Sequence, residues 1–318
     1  MYTKYTTVAN HHNLCNFITV LVLKGVIMKL AVIDLGSNSL RMGIYEKKDG
    51  KVTELKRERH QVRLAEGLGA DNMLKKEPME RTLKVFESYR QVLIEENVDN
   101  FKAIATESLR RAENASEFIK CVKLFTGIDI DVLDGENEAK YGAAAAKMSM
   151  DADSFYVIDI GGGSVEIAKV KEGVVVNYSS KPLGCVVMTE KFNPDEKGDG
   201  EIKAYMKQEL EELEWINESL PVCVLGGVVK ELAVSILGNY DFDGKKITAD
   251  KVFDMYDKIY KTKVPERCEK FGIDPRRCDV MTAGLCPLTA LLKKAGMGQV
   301  VFCARGVREG IAMELLNG

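Results

Sequence analysis

Asp159, Gly161, Gly162, Gly163, Ser164 and Glu166 fall within eight consecutive residues of the stretch FYVIDIGGGSVEIAK, Phe155–Lys169. Three adjacent residues without side chains let backbone N–H groups point into one concavity and let a bulky anion come close, which is how proteins cradle phosphate. The flanking carboxylates suit a hard cation, Mg2+ or Mn2+, which takes a few carboxylates together with waters and phosphate oxygens. An Asp in such a place can also simply form the turn by accepting local N–H groups.

The pattern has an echo 125 positions earlier, where Ala31–Glu46 reads AVIDLGSNSLRMGIYE. Val32, Ile33, Asp34, Gly36 and Ser39 align without gaps with Val157, Ile158, Asp159, Gly161 and Ser164, and Arg41 falls opposite Glu166. Duplication favours a shared role for Asp34 and Asp159 over two accidental turns. Ser37, Asn38 and Ser39 would then form a second phosphate-gripping loop, although turns use the same residues for their own sake. Arg41 lies two positions beyond Ser39 and so is expected on the same strand face, a placement that suits a guanidinium contacting phosphate, although a solvent-facing Arg is the ordinary alternative.

Two copies of a strand-turn-strand unit require two lobes. In the first half, strands are expected over Lys29–Tyr45 (interrupted by the loop), Lys51–Leu64, Phe101–Thr106 and Ile128–Leu133. Lys47-Lys48-Asp49-Gly50 reads as a hairpin. Helical spacing marks Met79–Glu96, Ser116–Thr126 and Ala139–Met150. Arg110 and Arg111 are expected in a turn after the third of these strands. Glu138 is expected in the first turn of a helix starting near Asp134, where an acidic side chain also serves to stabilise the positive helix end. The second half repeats the opening with Phe155–Val170, a turn at Lys171–Gly173 and Val174–Pro182. It continues with helical Gly200–Leu220, strand Val222–Leu225, and Gly226-Gly227 at a helix start. Helices Ala249–Tyr260 and Thr282–Lys294, strand Gln299–Phe302 and helix Val307–Leu315 complete an α/β order with mixed sheets.

A chain of 318 residues suits two domains, here 28–150 and 151–304, with residues 305–318 expected to pack back on the first. No Ser/Pro-rich linker separates them, so a compact hinge and an intervening ligand cleft are expected. Residues 1–27 are read as an extension outside the fold, because their apolar run is too short to span a bilayer and lacks the flanks of a signal peptide. The composition, 46% apolar and 29% charged, is that of a globular protein, and the net charge of −3 offers no general field for nucleic acid. Eight scattered cysteines without a C-x-x-C pair point to a reducing, cytoplasmic setting, and three histidines, none beyond His60, make a His/Cys zinc site improbable. Cys185 has no His partner and reads as a small buried residue.

Taken together, VIDLGSNSLRM, ATESLRRAENA, GENEAKYGA, VIDIGGGSVEI, PLGCVVMTEKF and LGGVVKELA resemble the exopolyphosphatase and guanosine pentaphosphate phosphatase (Ppx/GppA) family. The resemblance covers Met28–Gly318 and matches the short, two-domain form. It implies two RNase H-like lobes of the actin-like ATPase superfamily around a central cleft. It also implies release of terminal phosphate from inorganic polyphosphate or of the 5′ γ-phosphate from guanosine pentaphosphate, with Mg2+ and a homodimer. By the same resemblance Glu138, directly before Ala139, is the water-activating base, and Asp159 and Glu166, with Asp34, hold the metal. Arg110 contacts phosphate alongside Ser37, Asn38, Ser39, Arg41 and Gly161–Ser164, and Gly226-Gly227 contacts a nucleotide or chain end. Two positions depart from the family pattern, Asn137 where an acid is usual and Val187 where a basic residue is. The rival readings are a small-molecule kinase of the same superfamily, for which no acceptor motif is visible, and a non-catalytic polyphosphate or nucleotide sensor.

Overall fold

The structure, a computed structural model, describes residues 28–68 and 71–317. The extension expected over residues 1–27 lies outside the described residues. Five strands, β1 (Lys29–Leu35), β2 (Ser39–Lys48), β3 (Lys51–Gln61), β4 (Asn100–Ala105) and β5 (Ile130–Val132), form one sheet in the order β3-β2-β1-β4-β5. The second sheet has β6 (Phe155–Ile160), β7 (Val165–Lys171), β8 (Val174–Lys181), β9 (Val222–Gly226), β10 (Lys246–Thr248) and β11 (Gln299–Phe302) in the order β10-β11-β9-β6-β7-β8. In each, the first two strands pair antiparallel and the first also pairs parallel with a later strand, β4 or β9. These are two RNase H-like lobes with mixed sheets, and a cleft runs between them.

Sequence explains the strand positions. β1 is almost wholly apolar and buried, as a central strand covered on both faces must be, whereas β3 alternates charged residues along an edge. Both hairpins turn the same way, with positive φ at Asp49 and Gly50 and at Glu172 and Gly173, the twist that two-residue connections need. Even the irregularities repeat: the register shifts at Ile44/Tyr45 in one lobe and at Lys169/Val170 in the other, the same 125-residue offset seen in the motif.

The structure departs from the local expectations at several points, among them the helix expected over Gly200–Leu220, which ends at Glu211. Arg110 and Arg111 belong to a short helix, Glu107–Arg111, rather than to a turn. β3 ends at Gln61 instead of Leu64, because the N–H groups of Val62 and Arg63 both donate to the Asn38 carbonyl and bend the chain out of the sheet. The helix Cys185–Phe192 was hidden by its β-branched Val186 and Val187. Its first N–H groups donate to the carbonyls of Gly161 and Gly162, a tertiary capture that overrides the weak propensity.

Two helices cross between the lobes. The helix Gly135–Lys147 follows β5 in sequence but lies on the second sheet, with Ala139, Ala143 and Ala146 against Phe155, Val157 and Ala168. The helix Val307–Asn317 follows β11 but lies on the first sheet, with Val307, Ile311 and Leu316 against Leu30, Val32 and Ile104. The two helices touch, and at their crossing Gly310 lies so close to the Tyr141 backbone that an added Cβ would stand 2.2 Å from its carbonyl oxygen. Among the described residues no helix is long and apolar enough to cross a membrane.

A methyl group at that crossing must push the two helices apart. Gly310→Ala should lower stability by about 1–3 kcal/mol. Urea denaturation checks this, as a shifted midpoint with an unchanged slope.

Candidate active site

The two motif copies converge on one cleft of about 220 Å³. Strand register places Asp34 opposite Arg41 in the first lobe and Asp159 opposite Glu166 in the second. The equivalent position is therefore a cation on one side and an acid on the other. Arg41 Nη1 lies 3.8 Å from Asp34 Oδ2, and this neighbour partly offsets the burial that raises the Asp34 carboxyl above its ordinary range. Asp159 feels Arg41 too, but less than it feels burial and the neighbouring Glu166. Burial, with the like charge of Glu166 next to it, pushes its pKa up to about 7.

Glu138 enters from the helix Gly135–Lys147, whose N-cap Asp134 accepts a hydrogen bond from the Asn137 N–H at 2.8 Å. That cap fixes the first turn and aims Glu138 into the cleft, where it is buried. Burial first, then the charge of Glu166, raise its pKa well above the usual carboxylate range, against the pull of Arg110. Arg110 stands behind Glu138 and does not line the cleft. Its Nη1 donates to Glu138 Oε2 at 2.5 Å and to the Leu133 carbonyl at 2.8 Å, and its Nη2 donates to Glu107 Oε2 at 3.1 Å. Nη2 also reaches Ser180 Oγ of the other lobe at 3.5 Å, and Ser180 in turn donates to Glu166 Oε1 at 2.8 Å. Glu138 and Glu166 are thus tied into one network across the cleft. Ser180 was not anticipated; its place on β8 opposite Glu166 was readable only from strand register.

The loops face each other closely. A Cβ on Gly163 would meet Ser37 Oγ at 2.4 Å, and one on Gly162 would meet Asn38 Cβ at 3.2 Å. Their turn geometry is the same, Gly36 N–H donating to Ser39 O at 3.0 Å and Gly161 N–H to Ser164 O at 2.9 Å. Loop carbonyls are occupied elsewhere: Ser37 O accepts from Ala65, Asn38 O from Val62 and Arg63, and the carbonyls of Gly161, Gly162 and Gly163 accept from Cys185, Val186 and Gly184. With the carbonyls turned back into the fold, no hydrogen bond within the described residues uses the N–H of Gly162 or Gly163. Oriented, unpaired N–H groups of this kind form an anion nest.

Gly226 and Gly227 both line the cleft and both are needed for packing. Gly226 has φ +109, and a Cβ there would stand 2.3 Å from Ile160 O and 3.0 Å from Asp159 Oδ1. Gly227 lies beneath the Arg277 guanidinium, whose atoms would be 2.3–2.4 Å from its Cβ. Cys185 is buried beside this arginine, and burial pushes its thiol up to about 11, as expected of an inert residue.

Much of the basic half of the cleft escaped the motif reading. Arg59 pairs with Arg41 across β2 and β3, and Arg277 and Lys230 come from distant helical segments. Burial, then the charges of Arg277 and Arg41, lower Arg59 to about 9, and burial also lowers Arg277 and Lys230. Arg277 is buried and its Nε has no partner. Arg308, lining the opposite part of the cleft from the helix Val307–Asn317, likewise leaves Nη1 unpartnered. Period-two spacing of Arg57 and Arg59 beside the Arg41 strand was the one available signal; nothing local marks Arg277 or Arg308.

The cleft is therefore bipolar, with Asp159, Glu166 and Glu138 as its acidic part, Arg59, Lys230 and Arg277 as its basic part, and the Asp34–Arg41 pair joining the two. Among the described residues no three potential ligands surround a single point as a finished metal cage. Buried, mutually repelling carboxylates beside an anion nest still fit a hexacoordinate Mg2+ that draws most of its ligands from water and phosphate, and they do not fit a zinc-like closed site.

The profile of the Ppx/GppA phosphatase family matches residues 43–318. In structure the chain is similar to the Aquifex aeolicus member of the Ppx/GppA protein family, at 29% identity over 92% of this chain and 99% of that one, with a TM-score of 0.79. It also shares its fold with an exopolyphosphatase from Cytophaga hutchinsonii, at 21% identity over 92% and 98% of the two chains and a TM-score of 0.81. An exopolyphosphatase-like protein, 23% identical over 91% and 97%, superposes with a TM-score of 0.82.

The raised carboxyls make a pH prediction. The folded protein keeps a proton on Asp159 that the unfolded chain loses, so this residue's contribution to stability falls as pH rises from near 3.8 through about 7. With a chelator present, Asp159→Asn should be more stable than the parent by roughly 1–4 kcal/mol at pH 8, and the gap should close toward pH 4. Thermal unfolding across that range measures it; a gap independent of pH would contradict the assignment.

Proposed function

The chain belongs to the Ppx/GppA phosphatase family, and from that membership and the bipolar cleft we propose that it hydrolyses the terminal phosphoanhydride of inorganic polyphosphate or the 5′ γ-phosphate of guanosine pentaphosphate. One observation carries the reading. Glu138, a buried carboxyl whose pKa burial raises, lies in the same cleft as two opposed N–H loops that come from different lobes.

In this reading the terminal phosphate rests between Ser37–Ser39 and Gly161–Ser164, whose N–H and hydroxyl groups bind its oxygens. Arg41 adds charge from the strand beside the first loop. Asp159 and Glu166, with Asp34 nearby, would hold Mg2+, which supplies charge neutralisation for the phosphoryl oxygens. Glu138 accepts the proton of the attacking water, and its raised pKa places it nearer the working pH than an exposed carboxylate. Arg110 orients Glu138 through the 2.5 Å bond and Ser180 links that pair to Glu166. Arg110 is thus better described as a positioning residue than as the direct phosphate contact that the family resemblance implies. Arg59, Arg277 and Lys230 receive the remainder of the polyanion, whose charge offsets the burial and neighbouring cations that depress them.

Phosphate release measured side by side on long polyphosphate, short polyphosphate and guanosine pentaphosphate with Mg2+ tests the proposal. Release from at least one supports it, and inactivity on all three would overturn it. Glu138→Gln should keep KM within a few-fold and lose kcat by about two or more powers of ten; near-parental turnover would remove Glu138 from the role of base. Arg59→Ala should raise KM for long polyphosphate by about 5–30-fold, the loss of one charge-assisted contact, with kcat nearly unchanged.

A further inference from the structure

Cys268 and Cys278 are both free thiols, and their Sγ atoms lie 2.6 Å apart. That is within about half an ångström of a disulfide's bond length and far inside ordinary sulfur contact. The approach is built, not incidental. The helix Arg267–Phe271 ends at Gly272 with φ +69, and the 3-10 turn Pro275–Arg277 brings the chain back beside its own start. Arg267, the neighbour of one cysteine, grips the other: its Nη1 donates to the Cys278 carbonyl at 2.8 Å. The same guanidinium is buried and anchored to Asp195, Nη2 to Oδ1 at 2.5 Å and Nη1 to Oδ2 at 3.0 Å. Cys268 is half-buried and reachable by a small oxidant, whereas Cys278 is buried.

We propose that Cys268 and Cys278 form a reversible oxidation site that takes hydrogen peroxide and, through the residue next to Cys278, alters the grip of Arg277 on anions in the cleft. The Cys268 thiolate attacks one peroxide oxygen, the O–O bond breaks, and a sulfenic acid and hydroxide result. The Cys278 sulfur then attacks the sulfenic sulfur, the S–O bond breaks, and the oxygen leaves as water with the Cys278 proton. Two thiols are oxidised by two electrons and one peroxide is reduced to two waters. The order follows the surroundings, since burial and the adjacent sulfur push Cys278 up to about 12 and make it the poorer first nucleophile. Closing the bond draws the Cys278 backbone toward the helix. Arg277, the residue before Cys278, has its guanidinium over Gly227, where a Cβ would meet it at 2.3–2.4 Å, so a shift of the Cys278 backbone changes how that guanidinium sits on the glycine. This consequence for substrate rests on the anion-binding role proposed for Arg277; the bond itself does not.

The full chain is treated with hydrogen peroxide, and intact mass and peptide maps are recorded with and without dithiothreitol. The expected result is a loss of about 2 Da, a Cys268–Cys278 link reversed by reductant, and no such link in Cys268→Ser. Free thiols after treatment, pairing of other cysteines, or sulfinic acid on Cys268 alone would overturn the site. Oxidised enzyme should also show a KM for polyphosphate changed at least about threefold, with kcat within about twofold, a change absent in Cys268→Ser. Identical KM values would overturn the coupling to Arg277. Inactivity on every substrate would defeat the hydrolase reading instead, and the mass measurement would still decide the oxidation site.

Discussion

Two buried carboxylates paired across neighbouring strands are the constraint around which this molecule is arranged. Asp159 and Glu166 repel, and burial denies them the water that would screen the repulsion. A fold keeps such a pair only if the surroundings tolerate partial protonation or if a ligand brings positive charge. The equivalent pair in the other lobe, Asp34 and Arg41, is already neutralised. Polarity of the cleft thus comes in part from one difference between otherwise matching hairpins, and Glu138, with Arg110 bonded to it, enters on the side whose hairpin supplies no cation of its own.

Secondary interactions follow from that asymmetry. Ser180 donates to Glu166 and Arg110 donates to Glu138, so two of the buried acids whose pKa is raised each have a hydrogen-bond donor. The cations at the other end have the opposite problem. Arg59, Arg277 and Lys230 are lowered first by burial, with neighbouring cations adding to it, which leaves that part complementary to several negative charges in a row rather than to one. A single small anion would relieve only part of it.

The sequence made the fold legible where physics is local. Alternation, apolar runs and the Asp49-Gly50 turn located the hairpins to within a residue or two, and the repeated D-x-G announced two lobes. It also brought Asp34, Asp159, Glu166, Glu138 and both loops to one place, because each follows directly from the end of a strand or the start of a helix. What it did not reveal depends on distant partners. Arg277 owes its position to Gly227, fifty residues earlier, and Ser180 owes its importance to strand register. The helix Cys185–Phe192 forms because the triple-glycine loop offers it carbonyls, which no propensity within residues 185–192 records. Arg110 was assigned by resemblance, and only the coordinates show it engaged by Glu107 and Glu138.

The exchange of helices between the lobes has a consequence for biogenesis. The first sheet is laid down early, yet one face of Leu30 and Val32 waits for Val307 and Ile311 at the far end of the chain. During synthesis that face lacks part of its native cover until residues 307–316 have emerged, so vectorial folding cannot finish lobe by lobe. The two halves mature together, which couples the integrity of each anion loop to that of the other, and a nascent chain interrupted before its last turns would leave an apolar sheet open to chaperones or to aggregation.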